Sequence, residues 1–402
     1  MAKEFSPFTP GQPVPLEFFV GRLAEINHLK KKVEAAATGR LELAWLSGER
    51  GIGKSSLTSF VRYVSERDAN VLGLHVFLGG VSTLSEMVRR VFDRLLKEGN
   101  DAGWFPKIKE LFGKHIREVG LFGVNFEFEA PDKDLERLVH DFAPALRNLM
   151  SRLSDDKKGL FLALDDINGL ASSEDFANWL KSFVDEIATG REPIPLCLCL
   201  VGLEEKRQSL VKMNPSLGRV FELIHIRPWD DNESREFFGS AYKNAGVVVE
   251  DEALDLMVNF TGGLPVLAHE IGDAVFKFDS DNVINAEDAY GGISAAADVV
   301  GRKYLEPQVF SAIRSERYRK ILRKFAATQA FGASFRRRDL LELLSSAEAN
   351  VLDNFLTKMK QLGVITGDPE GGRGAYRFQN LLHHLYFYLD AGPPKERHPS
   401  LP

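Results

Sequence analysis

The sequence predicts an α/β fold in which a parallel sheet is covered by helices on both faces. A helical module and a small unit of three helices with a β-hairpin follow it. Three observations predict this. The apolar runs Leu41–Leu46, Gly159–Leu164 and Leu196–Val201 read as strands, the last two buried on both faces, and helix-periodic segments alternate with them. After Arg227-Pro-Trp-Asp the strand pattern ends and helical spacing takes over. Beyond residue 309, helical segments lead into two short β runs around a Gly-rich turn.

The elements follow in order. Residues 1–16 contain Pro7, Pro10, Pro13 and Pro15 and read as an irregular lead-in. Leu23, Ile26, Leu29 and Val33 have helical spacing. The run Leu41–Leu46 is a strand that enters Gly48-Glu-Arg-Gly-Ile-Gly-Lys-Ser55, and a helix follows to about Val64. Val71–Phe77 is a second strand, with a helix over Leu84–Leu96 after it. Lys107–Ile116 reads as helical. The alternating run Gly120–Phe128 reads as a strand completing the core, with a partner-contacting hairpin as the other reading. One long helix is expected over Asp134–Leu153, then the strand ending at Leu164, a helix over Phe176–Ile187, and strands over Leu196–Val201 and Leu223–Ile226. Asn232–Asn244, Asp251–Phe260 and Val266–Phe278 are helices of the second module. The expected organisation is a core over 1–228, a helical lid over 229–300, a third domain over 309–390 and a loose tail over 391–402.

Composition restricts the functional classes. With 44% hydrophobic and 27% charged residues, the 402-residue chain has the make-up of a soluble globular protein. No apolar run is long enough to span a membrane, and the opening Met1-Ala-Lys-Glu-Phe-Ser lacks a signal-peptide pattern, so a cytoplasmic protein is expected. Cys197 and Cys199 lie on one face of a strand-like run. They read as small core residues in a reducing compartment and not as a zinc site. The net charge is −6, but residues 311–402 carry 15 Lys and Arg against 9 Asp and Glu. That +6 segment on an acidic body is either an electrostatic footprint for nucleic acid or chance clustering on a solvated surface.

The chemistry concentrates in two motifs. Gly48-x-x-x-x-Gly53-Lys54-Ser55 is a complete Walker A pattern in its required strand–loop–helix context. Its residues Gly48, Glu49, Arg50, Gly51, Ile52, Gly53, Lys54, Ser55 and Ser56 are the candidate ATP or ADP cradle. Glycines let the backbone close on a phosphate, whose charge the loop N–H groups and the helix N-terminus complement. Lys54 would reach the β- and γ-phosphates, and the Ser55 hydroxyl would ligate Mg²⁺. The apolar run ending in Asp165-Asp166 fits a Walker B strand. Asp165 is the expected second Mg²⁺ ligand, acting through water, and Asp166 the residue that orients the attacking water.

These residues carry a resemblance. Phe18-Phe-Val-Gly-Arg-Leu-Ala-Glu25, Ser47–Ser56 and Leu164-Asp-Asp resemble AAA+/STAND ATPases near the origin-recognition and archaeal-ATPase branch. The resemblance covers about residues 17–280. It implies a P-loop core of strand order 5-1-4-3-2 with a helical lid, and places Val20, Gly21 and Arg22 near the adenine. Gly262-Gly-Leu-Pro265 is similar to the Gly-Leu-Pro motif of the STAND lid, which makes Pro265 a base contact; a simple turn with Pro opening a helix is the other reading. Arg219 stands where AAA+ relatives carry an arginine finger acting across a subunit interface, and otherwise is a surface arginine. Two departures point to slow, switch-like hydrolysis. The position after Leu196–Val201 is Gly202 where AAA+ motors carry a polar residue, and the second Walker B acid is Asp, not Glu.

The third domain resembles a winged helix. Helices are expected over Arg317–Ala327, Arg336–Leu344 and Ala347–Leu362, with Ser334 and Ser346 as N-caps for the last two, and a hairpin over Val364–Phe378. If it reads duplex DNA, Arg336, Arg337, Arg338, Lys358, Lys360, Arg373 and Arg377 are the candidate phosphate contacts. Glu348 and Asp353 on the third helix fit an anionic groove poorly. In STAND proteins of the NB-ARC kind the module closes over nucleotide instead, and the stretch matching their Met-His-Asp triplet is Phe378-Gln379-Asn380, without the histidine. His383 and His384 read as one packed and one exposed helix residue. Two functions follow. One is an ATPase that forms homo-oligomers on DNA in its ATP state. The other is a signalling or defence switch that recruits a protein effector.

Overall fold

The computed structural model describes residues 5–12, 19–102, 104–119, 125–328 and 331–391. They fall into two compact units, one within residues 13–227 and one combining 5–12 with 228–391. The tail beyond 391, half of the lead-in, Phe18 and the Gly120–Val124 stretch lie outside the described residues.

The first unit is built on five parallel strands: β1 (Leu41–Ser47), β2 (Leu72–Phe77), β3 (Leu160–Asp165), β4 (Leu196–Gly202) and β5 (Glu222–His225). Their spatial order is β2-β3-β4-β1-β5, the expected 5-1-4-3-2 read from the other edge. Every residue of β3 and β4 is buried, which is why both read as unbroken apolar runs. Cys197 and Cys199 are fully buried in β4, and burial pushes both thiols up, Cys197 to about 12. The register brings the motifs together. Leu46 and Asp165 both pair with Val201, so the C-terminal ends of β1, β3 and β4 lie in one row. In such sheets ligands bind beyond these ends, beside the strand where the order reverses.

Helices α1 (Leu23–Ala37), α2 (Lys54–Ala69), α3 (Leu84–Ala102) and α4 (Glu174–Thr189) belong to this unit. Two expectations are corrected. The described part of the alternating run does not join the central sheet; Ile116–Val119 and Asn125–Phe128 pair antiparallel as a separate two-stranded sheet, whose Phe128 is buried in the core and packs on Phe92 at 5.0 Å between ring centres. The long helix over Asp134–Leu153 is two helices, Asp132–His140 and Phe142–Arg152. Pro144 explains the break, because it lacks an N–H and its ring crowds the carbonyl of His140.

In the second unit, helices α5 (Asp231–Asn244), α6 (Asp251–Thr261), α7 (Pro265–Phe278) and α8 (Ala286–Val300) form the helical module. Asp230 opens α5 with a capping box to Glu233. Phe8 of the N-terminal segment packs here, edge-on to Phe237 and Tyr242, and a Cβ on Gly272 would run into its ring. A ten-residue π-helix, Gly301–Phe310, continues from α8.

The C-terminal part has a three-stranded antiparallel sheet, β6 (Phe335–Arg336), β7 (Ile365–Gly367) and β8 (Ala375–Phe378), where a two-stranded hairpin was expected. Its helices are α9 (Glu316–Thr328), α10 (Arg337–Leu341), α11 (Ser346–Ala349), α12 (Leu352–Gln361) and α13 (Leu381–Ala391). The third helix is therefore interrupted between Ala349 and Leu352. The caps differ as well. Ser345, not Ser346, precedes α11, and its N–H and hydroxyl both donate to Glu348 at 2.9 and 2.8 Å. Ser334 donates instead to Asp368, and Arg336 occupies the cap of α10. On α13, His384 is buried and His383 half-buried, so neither is the exposed residue expected.

Candidate functional site

The loop between β1 and α2 turns on glycines. Gly51 and Gly53 have φ of 76° and 94°, a region closed to most side chains. Gly48 is buried, and a Cβ on it would come within 3.0 Å of the Ile226 carbonyl. Lys54 opens α2 and folds back over its own loop, its ammonium donating to the carbonyls of Gly48 at 2.9 Å and Glu49 at 2.7 Å. Burial pushes that ammonium below its usual range, and the carboxylates of Asp165 and Asp166 act against the shift. The basic and acidic members of the two motifs thus share one electrostatic environment. Ser55 is half-buried, Ser56 is buried, and Glu49 and Arg50 are exposed at the loop tip.

Asp165 is 2% exposed at the end of β3. Its Oδ2 meets Nε2 of His75 on β2 at 2.8 Å, and Nδ1 of the same ring meets the Ser59 hydroxyl of α2 at 3.0 Å. The carboxylate requires a donor, so Nε2 carries the proton and Nδ1 accepts from Ser59. His75 is a site residue that sequence reasoning missed. It carries no motif, and only its pairing across adjacent strands reveals it. Holding one oxygen of Asp165 in this way fits a carboxylate set to bind a cation, since ligands are usually fixed by such neighbours. The Ser55 hydroxyl and the Asp165 carboxylate are hard oxygen donors of the kind magnesium takes beside phosphates and water. Among the described residues no cluster of three His, Cys, Asp or Glu makes a self-sufficient metal cage.

Asp166 is exposed and has a φ of 57°, left-handed for a non-glycine residue. Its Oδ1 accepts from Asn168, a second residue that no sequence signal marked. Arg22 is buried at the start of α1, donating to the Ile52 carbonyl at 3.3 Å and to the Arg227 carbonyl. This ties the Val20-Gly21-Arg22 segment to the phosphate loop and to the chain just beyond β5. Arg219 is exposed on the short helix Leu217–Val220.

Pro265 belongs to the other unit, where it is buried as the first residue of α7. Gly262 and Gly263 before it have φ of 56° and 71°, and the Gly263 carbonyl accepts from Trp229 N–H at 2.8 Å. Asn380 caps α13, accepting from Leu382 N–H at 2.8 Å, and donates to the Thr261 carbonyl at 3.1 Å, pinning the end of α6.

The winged module presents its basic residues unequally. Arg337 makes a two-toothed pair with Asp353 at 2.6 and 3.1 Å, Arg338 pairs with Asp339, and Arg336 donates to the Gly371 carbonyl at 3.0 Å. Lys360 lies over the Tyr376 ring at 5.6 Å, Arg373 and Arg377 are exposed on the wing, and Lys358 is half-buried. The two acidic residues expected on the third helix differ: Glu348 is buried, and its ion pair with Lys324 at 2.7 Å holds its carboxyl down to about 2, while Asp353 stays exposed and is paired with Arg337.

Comparison with known proteins agrees with this geometry. Residues 19–199 match the family model of the AAA ATPase domain. A curated relative, the uncharacterized HTH-type transcriptional regulator MJ0774 of Methanocaldococcus jannaschii, is 20% identical over 399 residues, covering 92% of this chain and 88% of its own length. The Walker-type ATPase PABY2304 of Pyrococcus abyssi is 19% identical with a TM-score of 0.56, over 96% of this chain and 99% of that one. The ORC2 protein of Aeropyrum pernix, solved as ADPNP-ADP complexes, is 14% identical with a TM-score of 0.58, over 97% of this chain and 95% of that one. With its phosphate loop, its parallel sheet and the acidic end of β3, the segment 19–199 is similar to AAA ATPase domains, and the chain has the fold of the archaeal Walker-type ATPase and ORC2 structures.

Proposed function

We propose that the chain binds ATP with magnesium, hydrolyses it slowly, and uses its two nucleotide states as a switch that assembles copies of itself on duplex DNA. One observation carries the nucleotide reading: the Lys54 ammonium rests on the carbonyls of its own loop, within the field of Asp165 and Asp166. In this reading the loop N–H groups of residues 48–56 cradle the phosphates, and Lys54 leaves its carbonyls for the β- and γ-phosphates. Ser55 and Asp165 would hold the magnesium ion, which would supply charge neutralisation for the phosphate oxygens. Asp166 orients the attacking water. Val20–Arg22 meet the adenine, and Arg219 reaches a neighbouring copy's γ-phosphate. The shorter Asp at 166 and the absent side chain at Gly202 support slow turnover. A cytoplasmic location accords with two free, buried thiols.

The DNA reading is supported by the wing's exposed Arg373 and Arg377, by Lys360, and by the burial of Glu348 away from the surface. The relative named as an HTH-type transcriptional regulator supports it too. Fluorescence anisotropy with duplex DNA across salt, with ATP, ADP and neither, tests it. Binding that weakens steeply with salt is expected, and no binding at about 50 mM salt removes the DNA part. Size analysis in the same three states tests nucleotide-driven assembly. A second reading, a switch that recruits a protein effector without DNA, draws on the fixed Gly262–Pro265 bend and its tie to Asn380 through Thr261.

A further inference from the structure

Asn168 stands at a junction that neither Walker motif accounts for. It lies two residues past Asp166, half-buried in the loop after β3. Its Oδ1 accepts from Leu203 N–H at 3.1 Å, just beyond the end of β4, and its Nδ2 donates to Asp166 Oδ1. The amide's orientation is determined from both sides, because a backbone N–H calls for the oxygen and a carboxylate calls for the nitrogen. One side chain therefore ties together the C-terminal ends of two adjacent strands.

Gly202 makes the room for it. A Cβ at this position would lie 3.3 Å from Asn168 Oδ1, 3.4 Å from Trp45 and 3.5 Å from Ile167. The backbone of Gly202 is not left-handed, so the glycine supplies space and not conformational freedom. Asp166 is the opposite case. It is exposed and left-handed, and without a partner its short side chain would sample several directions.

We propose that Asn168 is the positioning residue for Asp166, supplying from the β3 loop the polar side chain that β4 lacks at Gly202. The inference rests on the reading of Asp166 as the residue that orients the attacking water. Asn168 takes no proton in it; its amide fixes the direction of the Asp166 carboxylate relative to the two strand ends. Misplacing such a group by about 1 Å costs up to about 100-fold in rate.

The test is ATP turnover measured alongside ADP affinity by calorimetry. Asn168→Ala is expected to lower kcat by about 10- to 100-fold, with KM and ADP affinity within about twofold of the unaltered protein. The double variant Asn168→Ala/Gly202→Asn returns an amide from the facing strand into the space Asn168 vacates, and is expected to regain part of kcat. Asn168→Asp keeps the shape and the acceptor for Leu203 but sets a carboxylate against Asp166, and is expected to be slow. It covers the case in which the alanine variant fails to fold. Wild-type kcat in Asn168→Ala or Asn168→Asp overturns the inference, as does a folded double variant no faster than Asn168→Ala. An unaltered protein that binds ADP and never turns over ATP also overturns it, while the binding site stands. Failure of the underlying site reading has its own signature, since the unaltered protein would then bind no nucleotide in the calorimeter.

Discussion

Replacing Lys54 with alanine should weaken ATP binding by a factor that the geometry bounds. At 4 Å and an effective dielectric of about 20, one ammonium–phosphate charge pair contributes about 4 kcal/mol, so two phosphate charges contribute roughly 8. Against this stand the two carbonyls that the ammonium leaves, those of Gly48 and Glu49. Hydrogen bonds from a charged donor hold about 1.5–3 kcal/mol each, or roughly 3–6 for the pair. The net of about 2–5 kcal/mol corresponds to about 30-fold to several-thousand-fold in Kd. Titration calorimetry with ATP and magnesium measures the loss. Thermal unfolding of the free variant is followed alongside, because Lys54→Ala also removes the two hydrogen bonds to the Gly48 and Glu49 carbonyls. If Lys54→Ala binds ATP with unaltered affinity while remaining folded, the loop is not the phosphate site and the nucleotide reading fails.

Three further outcomes are expected. Leu162→Ala removes a fully buried side chain from the middle of β3 and should cost about 2–5 kcal/mol, read from urea unfolding. Changing Lys360, Arg373 and Arg377 together to alanine should flatten the salt dependence of DNA binding by roughly 0.9 in the log–log slope per lost phosphate contact, equally for all duplex sequences. His269, His383 and His384 are each held near a pKa of about 4 by burial, below the usual 6.5. The unfolded chain therefore binds more protons between these values. The stability that neutral histidines contribute is full above about 6.5 and is lost as pH falls toward 4. A melting temperature for residues 228–391 that does not fall between pH 6.5 and 5 would contradict this.

Neighbours along the chain determined much of this protein. β3 and β4 are legible because a parallel strand buried on both faces must be apolar throughout, as Leu160–Leu164 and Leu196–Val201 are. The phosphate loop is legible because its demands for glycine at 51 and 53, and for a lysine at the helix start, fall within eight consecutive residues. Pro144 also announced a helix break that helical spacing alone concealed. Tertiary structure alone decided the rest. His75 meets Asp165 across 90 residues, Asn168 meets Leu203 across 35, and Lys324 meets Glu348 across 24. A lone His, Asn or Glu has no periodicity, and its partner depends on which strands lie side by side and in what register. Sheet order is set by how whole helices and strands bury their faces against one another, so no local run of residues encodes it.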